Sequence, residues 1–267
     1  MNRIDKKFKE LKLRKRKAFI AYITAGDPDL FLTKRIVSSL ETSGVDIIEL
    51  GIPFSDPIAD GPTIQAASHR ALAGGVTLKK IFLMMGTLRK VTQIPIIFMT
   101  YYNPVLRYGI KKFVADCSLK GVDGVIIPDL PIEEAKPLMS YAGKMDISVI
   151  FLAAPTSTRK RIGMIVKRSR GFIYYVSLTG VTGTRRDLPA EVISNVRMIK
   201  YMTTKPVAVG FGISTPIQAR KMAEAADGVI IGSAIVKIIA DNQKNKKIMI
   251  SKVASFSKKL SRAIHGA

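Results

Sequence analysis

Eight short apolar segments, rich in β-branched residues, recur along the chain and alternate with longer stretches of helical periodicity. The predicted strands are 18–25, 45–51, 94–100, 122–128, 147–153, 171–177, 205–210 and 227–232. The clearest predicted helices are 29–43, 109–120, 132–145, 158–168, 189–202 and 215–225. Strands that alternate with helices pair in parallel, because a parallel neighbour is reached only through a crossover connection. Eight such units in about 250 residues predict a TIM (β/α)8 barrel, with an open doubly wound sheet as the alternative.

The composition is that of one folded domain. Hydrophobic residues make up 47% and charged residues 24%, and no low-complexity linker divides residues 1–267. No apolar run approaches the roughly 18 residues that a membrane span needs, and the basic start lacks the apolar core of a signal peptide. With one cysteine (Cys117) and two histidines (His69 and His265), we expect neither a disulfide nor a metal site. Together these features predict a soluble cytoplasmic protein without membrane association.

The formal net charge of +23 is concentrated at the two ends of the chain. Residues 1–17 contain nine Lys and Arg, and residues 237–267 contain eight. Both ends also carry apolar residues at helical spacing, which are Ile4, Phe8, Leu11, Met249, Val253, Phe256, Leu260 and Ile264. We interpret the charge as the solvated faces of two terminal helices. Specific nucleic-acid binding is the less favoured alternative, because aromatic residues are not interleaved with the charge.

Polar residues at the carboxyl ends of strands are the candidates for chemistry, because TIM-barrel active sites lie on the loops that follow the strands. Glu49 is near the end of segment 45–51 and shares its side-chain parity with Ile47, which places both inside the barrel. A carboxyl group among apolar side chains has a raised pKa, as a general acid/base at neutral pH requires. The alternative is an ion pair between Glu49 and a Lys or Arg across the barrel mouth.

A long connection from residue 53 to about residue 75 follows this strand and contains Asp56 and Asp60 in the sequence SDPIADGP. Asp-Pro and Asp-Gly pairs form turns, so spacing alone favours a turn role for both aspartates. The connection also contains large apolar residues, which are Ile52, Phe54, Ile58 and Ile64. Such apolar character is typical of a lid or a partner-binding face rather than of a solvated turn.

Two glycine-containing turns follow the last two predicted strands. Residues 206–216 have the sequence PVAVGFGISTP, and residues 228–235 have the sequence GVIIGSAI. Glycine lets backbone N–H groups approach an anion, and the helix N-terminus that follows adds partial positive charge. Two such turns on adjacent strands match the usual phosphate site of a TIM barrel, with ordinary βα turns as the alternative.

The segment LTGVTGTRRD, residues 178–187, follows the strand that contains Tyr174 and Tyr175. Its glycines, threonines and paired arginines indicate either a loop that closes over an anionic ligand or an ordinary exposed loop. The two tyrosines alternate along the strand and therefore point to opposite faces. One is expected to line a flat aromatic pocket, while the other packs against helices.

The segment IELGIPFSDPIADGPTIQAA, with TAGDP, GVTGT, GFGIS and IGSAIV at matching spacings, closely resembles the tryptophan synthase α chain family over essentially the whole chain. The resemblance implies a TIM barrel over residues 18–267, closed by an extra N-terminal helix over residues 1–16. It also implies a lyase of tryptophan biosynthesis that cleaves indole-3-glycerol phosphate to indole and glyceraldehyde 3-phosphate by a retro-aldol reaction.

By this resemblance, Glu49 is the acid/base and Asp60 is the second catalytic carboxylate, which stabilises the charge that develops at the indole N–H. The matches to the phosphate-binding positions are Gly183, Gly210, Phe211, Gly212, Ile213, Gly232 and Ser233. The matches to the indole pocket and its lid are Tyr22, Ile64, Thr100, Leu130, Tyr174 and Thr182. Departures from the common family pattern include Tyr22 for Phe, Met99 for Leu, and Leu178-Thr179 for a more polar pair.

The resemblance further implies a partner, a tryptophan synthase β chain that receives indole within an α2β2 heterotetramer. Asp56 is expected at that interface. Pyridoxal phosphate is assigned to the β partner and no cofactor to this chain, which has no identifiable Schiff-base lysine motif. A stand-alone lyase that releases free indole and a non-catalytic α chain remain as alternatives. The presence of both Glu49 and Asp60 disfavours the non-catalytic one.

Overall fold

The computed structural model describes residues 1–176, 190–210 and 212–267. The described strands are β1 (Ala18–Thr24), β2 (Ile47–Gly51), β3 (Ile96–Met99), β4 (Gly124–Ile126), β5 (Ser148–Ile150), β6 (Leu152–Ala153), β7 (Ile173–Val176), β8 (Val207–Gly210) and β9 (Gly228–Ile231). The described helices are α1 (Arg3–Leu13), α2 (Leu30–Thr42), α3 (Pro62–Ala73), α4 (Leu78–Leu88), α5 (Tyr102–Tyr108), α6 (Ile110–Leu119), α7 (Lys136–Lys144), α8 (Arg159–Arg168), α9 (Ala190–Tyr201), α10 (Pro216–Ala225), α11 (Ser233–Asp241) and α12 (Lys246–His265).

The strands form a parallel barrel in sequence order. Each strand pairs with its neighbour along the chain, except that β5 and β6 do not pair with each other, and β1 pairs with β9 through Ala18 and Gly228. The predicted strand 147–153 is divided at Phe151 into β5, which pairs with β4, and β6, which pairs with β7. These two pieces therefore occupy one barrel position, and nine strands fill eight positions. The direct pairing of the first strand with the last confirms the TIM barrel and excludes the open sheet.

Two apolar clusters lie on the two sides of this sheet, because every strand of a TIM barrel is buried on both faces. The inner cluster includes Ile20, Ile47, Ile97 and Tyr174. The outer cluster, between the sheet and the helices, includes the residues of opposite parity, such as Phe19 on β1. Alternation along the strands thus decides which side chains face the inside of the barrel.

Helix α1 closes the barrel at the amino ends of the strands, as the sequence predicts. Its residues Ile4, Phe8 and Leu11 belong to the inner cluster. Burying such a side chain contributes about 1.5–3 kcal/mol. The side chain of Asn2 caps the helix by accepting from the Ile4 N–H (2.9 Å) and donates to the backbone oxygens of Asp123 (2.7 Å) and Asp146 (2.6 Å). These bonds fix the helix against the strands that it covers.

The end of α1 turns sharply back towards β1. Lys15 has a φ of 55°, in the left-handed region, and the Arg16 N–H donates to the Leu11 carbonyl over 2.8 Å. Glycine is the usual residue at this point of a helix end, because a side chain there is destabilising by about 1–2 kcal/mol. The turn brings several cationic residues of the basic N-terminal segment close together.

The connection after β2 differs from the single apolar loop that the sequence indicates. Its second half folds as α3, which begins directly after Gly61 with Pro62 at its first position, where the missing N–H has no helical acceptor to lose. Only residues 52–61 are therefore irregular. Within the described ranges, no single helix is long and apolar enough to cross a membrane. Helices α3 and α4 reach that length only together, with a bend of 94° between them.

Candidate functional site

Glu49 lies on β2 inside the barrel, near the mouth that the carboxyl ends of the strands form. In the parallel register it is next to Tyr22 on β1 and Ile97 on β3. Its side chain is 1% exposed, and neither carboxyl oxygen has a hydrogen-bond partner in the described part of the chain. No Lys or Arg of that part forms an ion pair with it, contrary to the alternative that the sequence left open. Its carboxyl group is free to contact a ligand.

Burial sets the ionisation of both predicted carboxyl groups, and repulsion from Asp60 adds to its effect on Glu49. Burial, and then the nearby charge of Asp60, raise the pKa of Glu49 to about 8. Burial raises the pKa of Asp60 to about 6, although a hydrogen bond with Tyr101 opposes the rise. At neutral pH, Glu49 therefore holds a proton while Asp60 is ionised. Two carboxyl groups whose pKa values are driven apart in this way are a recurring arrangement in acid/base catalysis.

The loop that carries Asp60 is held in place by Tyr101, which follows β3. The Ala59 N–H donates to the Tyr101 hydroxyl oxygen over 3.0 Å, and the Phe54 ring packs 5.3 Å from the Tyr101 ring. The Gln65 side chain of α3 donates to the Asp60 carbonyl over 2.8 Å. These contacts hold Asp60 in a partly buried position near Tyr22 and Glu49, whose pKa values its charge raises. Asp56 on the same loop is exposed, and Ser55 donates to its carboxylate.

Aromatic and apolar side chains form the wall above Glu49. Tyr22, Ile64 and Met99 pack together with Ala67 and Val236. The Tyr22 ring fills the space beside Gly51, where a Cβ atom would lie 2.1 Å from the tyrosine oxygen. Burial and the Asp60 and Glu49 charges raise the pKa of Tyr22, so its hydroxyl is neutral. This wall is shaped for a flat apolar group beside the two carboxyls.

Tyr174 and Thr100 complete the same wall. Tyr174 belongs to the inner cluster, and a Cβ atom at Gly210 would lie 2.8 Å from its hydroxyl oxygen. The Thr100 hydroxyl is buried without a hydrogen-bond partner in the described residues, and is thus available to a ligand. Tyr175 belongs to the outer cluster and accepts from the Asn195 amide over 3.0 Å, so the two tyrosines point to opposite faces of the strand, as the alternation predicts.

Leu130 is placed differently from the other residues predicted for the indole pocket. It lies in the outer cluster with Ile127 and Ile132, in the segment after β4, and not in the cluster of Tyr22 and Ile64. Two further predicted residues, Gly183 and Thr182, and the whole segment 178–187 lie outside the described residues, as does Phe211.

The two glycine turns lie side by side, because β8 pairs with β9 through Gly210 and Ile230. Helix α10 is capped by its own side chains, in a reciprocal capping box of Thr215 and Gln218. Helix α11 begins after Gly232 at Ser233, and no side chain caps it. Backbone N–H groups of its first turn are thus left for an anion, so the geometry favours α11 over α10.

Gly212 and Ile213 shape the turn next to this uncapped helix. Gly212 has a φ of 57°, and a Cβ atom built on it would have no atom of the described residues within 4 Å. Within the described part of the chain, no atom thus blocks the approach of a ligand to its Cα. Ile213 is buried in the outer cluster and anchors the turn from behind. This arrangement fits close approach of a phosphate group to the backbone.

Two features of the site were not identified from the sequence. Tyr101 directly follows the predicted strand 94–100, so the rule that singles out polar residues at strand ends could have found it. Asp27, which follows β1, forms a bidentate ion pair with Arg70 of α3, over 2.9 and 2.7 Å. That pair fixes α3, and with it the loop of Asp60, to the barrel, but nothing local to either residue signals the contact. The described residues contain no group of three or more His, Cys, Asp or Glu placed to hold a metal ion.

Comparison with known proteins agrees with this geometry. The family model described as "Tryptophan synthase alpha chain" matches residues 8–265. The chain belongs to the tryptophan synthase alpha chain family. A member from Geobacter sulfurreducens is 54% identical over 238 residues, which cover 89% of this chain and 90% of that protein. A member from a Thermoanaerobacter species is 50% identical over 256 residues, covering 96% and 97% respectively.

Solved structures of tryptophan synthase alpha chains have the same fold. The subunit alpha of Legionella pneumophila superposes with a TM-score of 0.92 at 39% identity, covering 99% of this chain and 98% of that one. The tryptophan synthase of Mycobacterium tuberculosis, in its aminoacrylate-bound form, contains a chain that superposes with a TM-score of 0.89 at 33% identity, covering 99% and 100%. The family and its TIM barrel, implied earlier by a resemblance, are therefore confirmed.

Proposed function

We propose that this chain is the lyase of the α reaction, which cleaves indole-3-glycerol phosphate to indole and glyceraldehyde 3-phosphate in tryptophan biosynthesis. Membership of the tryptophan synthase alpha chain family supports this reaction. The observation that carries it is the Glu49 carboxyl, which is buried at the barrel mouth without a partner and is protonated at neutral pH. A group in that state can deliver a proton to carbon and take one back from oxygen.

Glu49 supplies both proton transfers of the mechanism. Its carboxyl first protonates C3 of the indole ring, which places positive charge on the ring nitrogen. The resulting carboxylate then removes the proton from the glycerol hydroxyl next to the C–C bond. As that hydroxyl becomes the aldehyde carbonyl, the electron pair of the breaking bond returns to the ring and neutralises the nitrogen. Indole keeps the proton added at C3, and Glu49 ends the cycle protonated.

Asp60 stabilises the positive charge that protonation of the indole ring creates. Its pKa of about 6 leaves it ionised at neutral pH, when Glu49 still carries its proton. In the proposed pose the indole N–H donates to the Asp60 carboxylate, whose charge stabilises the protonated ring. The surrounding wall of Tyr22, Ile64 and Tyr174 excludes water from the ring, and in that environment the attraction is stronger than in solution.

The phosphate of the substrate is assigned to the glycine turns after β8 and β9. Two observations support this position: the N-terminus of α11 is uncapped, and no atom of the described residues lies within 4 Å of a Cβ atom built on Gly212. Gly210 and Ile213 shape the first turn, and Ser233 opens α11 with its backbone N–H. Gly183 and Phe211 belong to the same proposed site through the family resemblance.

A β chain is the proposed partner, in an α2β2 heterotetramer in the cytoplasm, with pyridoxal phosphate on the β chain alone. The exposed loop with Asp56 and Ile58 supports a contact at the barrel mouth, because Ile58 is a large apolar residue that is 82% exposed. We also propose that residues 1–267 form a single domain. Its support is α1, whose apolar side chains complete the inner cluster of the barrel.

Indole formation in a single turnover, with and without an added β chain, tests this function. The expected result is release of indole and glyceraldehyde 3-phosphate in equal amounts, with a faster rate in the presence of the β chain. Absence of indole in both arms, from a folded protein that binds glycerol phosphate, would contradict the reaction. A rate that the β chain does not change would instead favour the stand-alone lyase.

A further inference from the structure

A second cavity, of about 460 Å³, lies at the opposite end of the barrel from Glu49. Residues directly before β1, β8 and β9 line it, together with the end of α1, so it opens at the amino ends of the strands. We call it the basic cleft, because it is lined by Lys12, Lys15, Arg16, Lys17, Lys200 and Lys205. Its volume is that of an ordinary small-ligand site.

The positive charge of the basic cleft is far from balanced. Among the described residues that line it, only Asp227 carries a carboxylate. Asp227 is already shared by Lys200 at 2.7 Å and Lys17 at 4.0 Å, and it also accepts from the Val207 N–H at 3.0 Å. Lys12, Lys15 and Arg16 are exposed and have no carboxylate partner among the described residues. Three cations thus face the cleft without compensation.

Lys205 on the far side of the cleft is rigidly held. Its amine donates to the carbonyls of Val166 (2.6 Å) and Ser169 (2.7 Å) at the end of α8. Partial burial, followed by repulsion from Arg170, lowers its pKa. A third, longer bond goes to the Lys167 carbonyl over 3.4 Å, so backbone oxygens take up the donors of Lys205 and its side chain is a fixed part of the cleft wall.

Lys15 gives an independent indication that the charge has a use. It adopts the left-handed conformation that glycine adopts without strain, and the turn it forms places its amine at the cleft. A strained residue that also carries unbalanced charge in a cavity suggests function rather than packing.

We propose that the basic cleft binds a ligand with linked phosphate groups, either a free polyphosphate or the phosphate chain of a nucleotide. A chain of linked phosphates carries enough negative charge to pair with Lys12, Lys15 and Arg16 together, whereas a single phosphate carries less. Nucleic acid fits less well, because Phe8 is the only aromatic residue among the described lining residues and is 7% exposed, so these residues offer no surface for base stacking. This site is independent of the proposed lyase reaction.

Isothermal titration with sodium tripolyphosphate, at about 0.15 M salt, tests the proposal. The wild-type protein should bind one equivalent. The triple variant Lys12→Gln/Lys15→Gln/Arg16→Gln should bind tripolyphosphate at least roughly tenfold more weakly than the wild type. Each of the three substitutions removes a charge-assisted hydrogen bond to the phosphates. Absence of binding to the wild type would overturn the proposal.

A control variant removes the same charge elsewhere. Lys247, Lys258 and Lys259 are exposed on α12 and do not line the cleft. Their combined replacement by Gln should change the affinity for tripolyphosphate by no more than about a factor of two. Equal weakening in both triple variants would mean that only net charge matters, and would overturn the site.

Lys15→Gly separates a ligand-binding role from a structural one. Glycine relieves the left-handed strain, so the variant should melt at a higher temperature than the wild type while binding tripolyphosphate more weakly. If Lys15 matters only to the helix end, affinity will not change, which contradicts its role in the cleft.

Three probes identify the source of the phosphates. Adenosine triphosphate that binds as tightly as tripolyphosphate would show that the phosphate chain alone is recognised, and tighter binding would show a nucleotide site. Both results support the proposal. Tight binding of a single-stranded RNA, without binding of tripolyphosphate, would overturn it in favour of a nucleic-acid surface. Lyase activity serves as the control for folding, because the cleft and the proposed active site lie at opposite ends of the barrel.

Discussion

The partnerless carboxyl of Glu49 couples stability to pH, and its replacement by glutamine exposes that coupling. Its pKa is about 8 in the folded protein, against an ordinary value of 4.5. Because the folded-state pKa is raised, this group's contribution to stability is fully present below about pH 4.5 and is lost as pH rises through about 8. Over that interval the unfolded chain ionises Glu49 while the folded protein keeps it protonated. Glutamine is neutral at every pH and nearly isosteric, so it removes this dependence.

The size of the effect follows from the shift. One pKa unit corresponds to about 1.36 kcal/mol, so the interval from 4.5 to about 8 amounts to about 5 kcal/mol. The Glu49→Gln variant should therefore match the wild type in stability near the acid end. Above about pH 4.5 the free energy of unfolding of the variant should increasingly exceed that of the wild type. The difference should level off above pH 8, at no more than about 5 kcal/mol. Its lyase rate should fall by roughly 10²–10⁴, because glutamine cannot transfer a proton.

Two measurements on the same samples test this reasoning. Urea unfolding at several pH values from about 5 to about 9 gives the difference in free energy of unfolding between variant and wild type. Single-turnover indole formation, with analogue binding in parallel, gives the loss of rate. Glu134→Gln is the matched control, because Glu134 is exposed, and its difference should stay near zero across the range.

Either of two results would refute it. A stability difference that does not depend on pH would mean that Glu49 is not the buried, partnerless acid that the structure shows. A variant whose rate is within a factor of a few of the wild type would remove Glu49 from the mechanism, even if the stability curve behaves as expected.

Three further changes are expected to have distinct effects. The pH profile of kcat/KM should be bell-shaped with limbs near 6 and 8, because Asp60 must be ionised and Glu49 protonated. Asp60→Asn should abolish the lower limb and cut the rate. A limb near 6 that survives in this variant would exclude Asp60 from the mechanism. Gly212→Ala should weaken the binding of glycerol phosphate about tenfold. Gly75→Ala is the control, at a glycine with a similar φ of 70°, and should leave this affinity unchanged. If the two variants bind glycerol phosphate equally well, the phosphate site does not lie at Gly212. Asp56→Ala should reduce activation by a β chain several-fold and leave the intrinsic lyase rate nearly intact. Indole release with and without the β chain measures both quantities. Full activation of this variant would mean that the interface does not include Asp56.

Much of the fold was predictable because strand composition and helical periodicity are local properties. The strands that contain Ile20 and Ile47 are apolar on both faces, and such strands occur in sheets that are covered on both sides. The break at Phe151 was not predictable, because the strand changes partner there, from β4 to β7, and pairing partners are distant in sequence. Helix α3 was missed although Pro62 signals its start, since the preceding Asp-Gly pair is also a turn signal.

The site, too, has features that were predictable from local sequence and features that were not. Glu49 was found from parity within one strand, which is a local argument. The state of Asp60 depends on Tyr101, 41 residues further along, and on how deeply the loop is buried. The basic residues of the N-terminus were interpreted as a solvated face. Lys12 and Lys15 are indeed exposed, but that they line the same cavity as Lys205 was not predictable, because only the closed barrel brings these residues together.

The closure of the barrel by α1 has a consequence for how this chain folds during synthesis. Ile4 and Phe8 fill the inside of a barrel whose last strand is made more than 200 residues later, and β1 cannot complete its pairing before β9 exists. Asn2 finds its acceptors only once residues 123 and 146 have left the ribosome. Helix α1 is therefore made long before the barrel that it closes is complete. Until then its apolar stripe is exposed in the cell, where a chaperone or another unfinished chain can bind it.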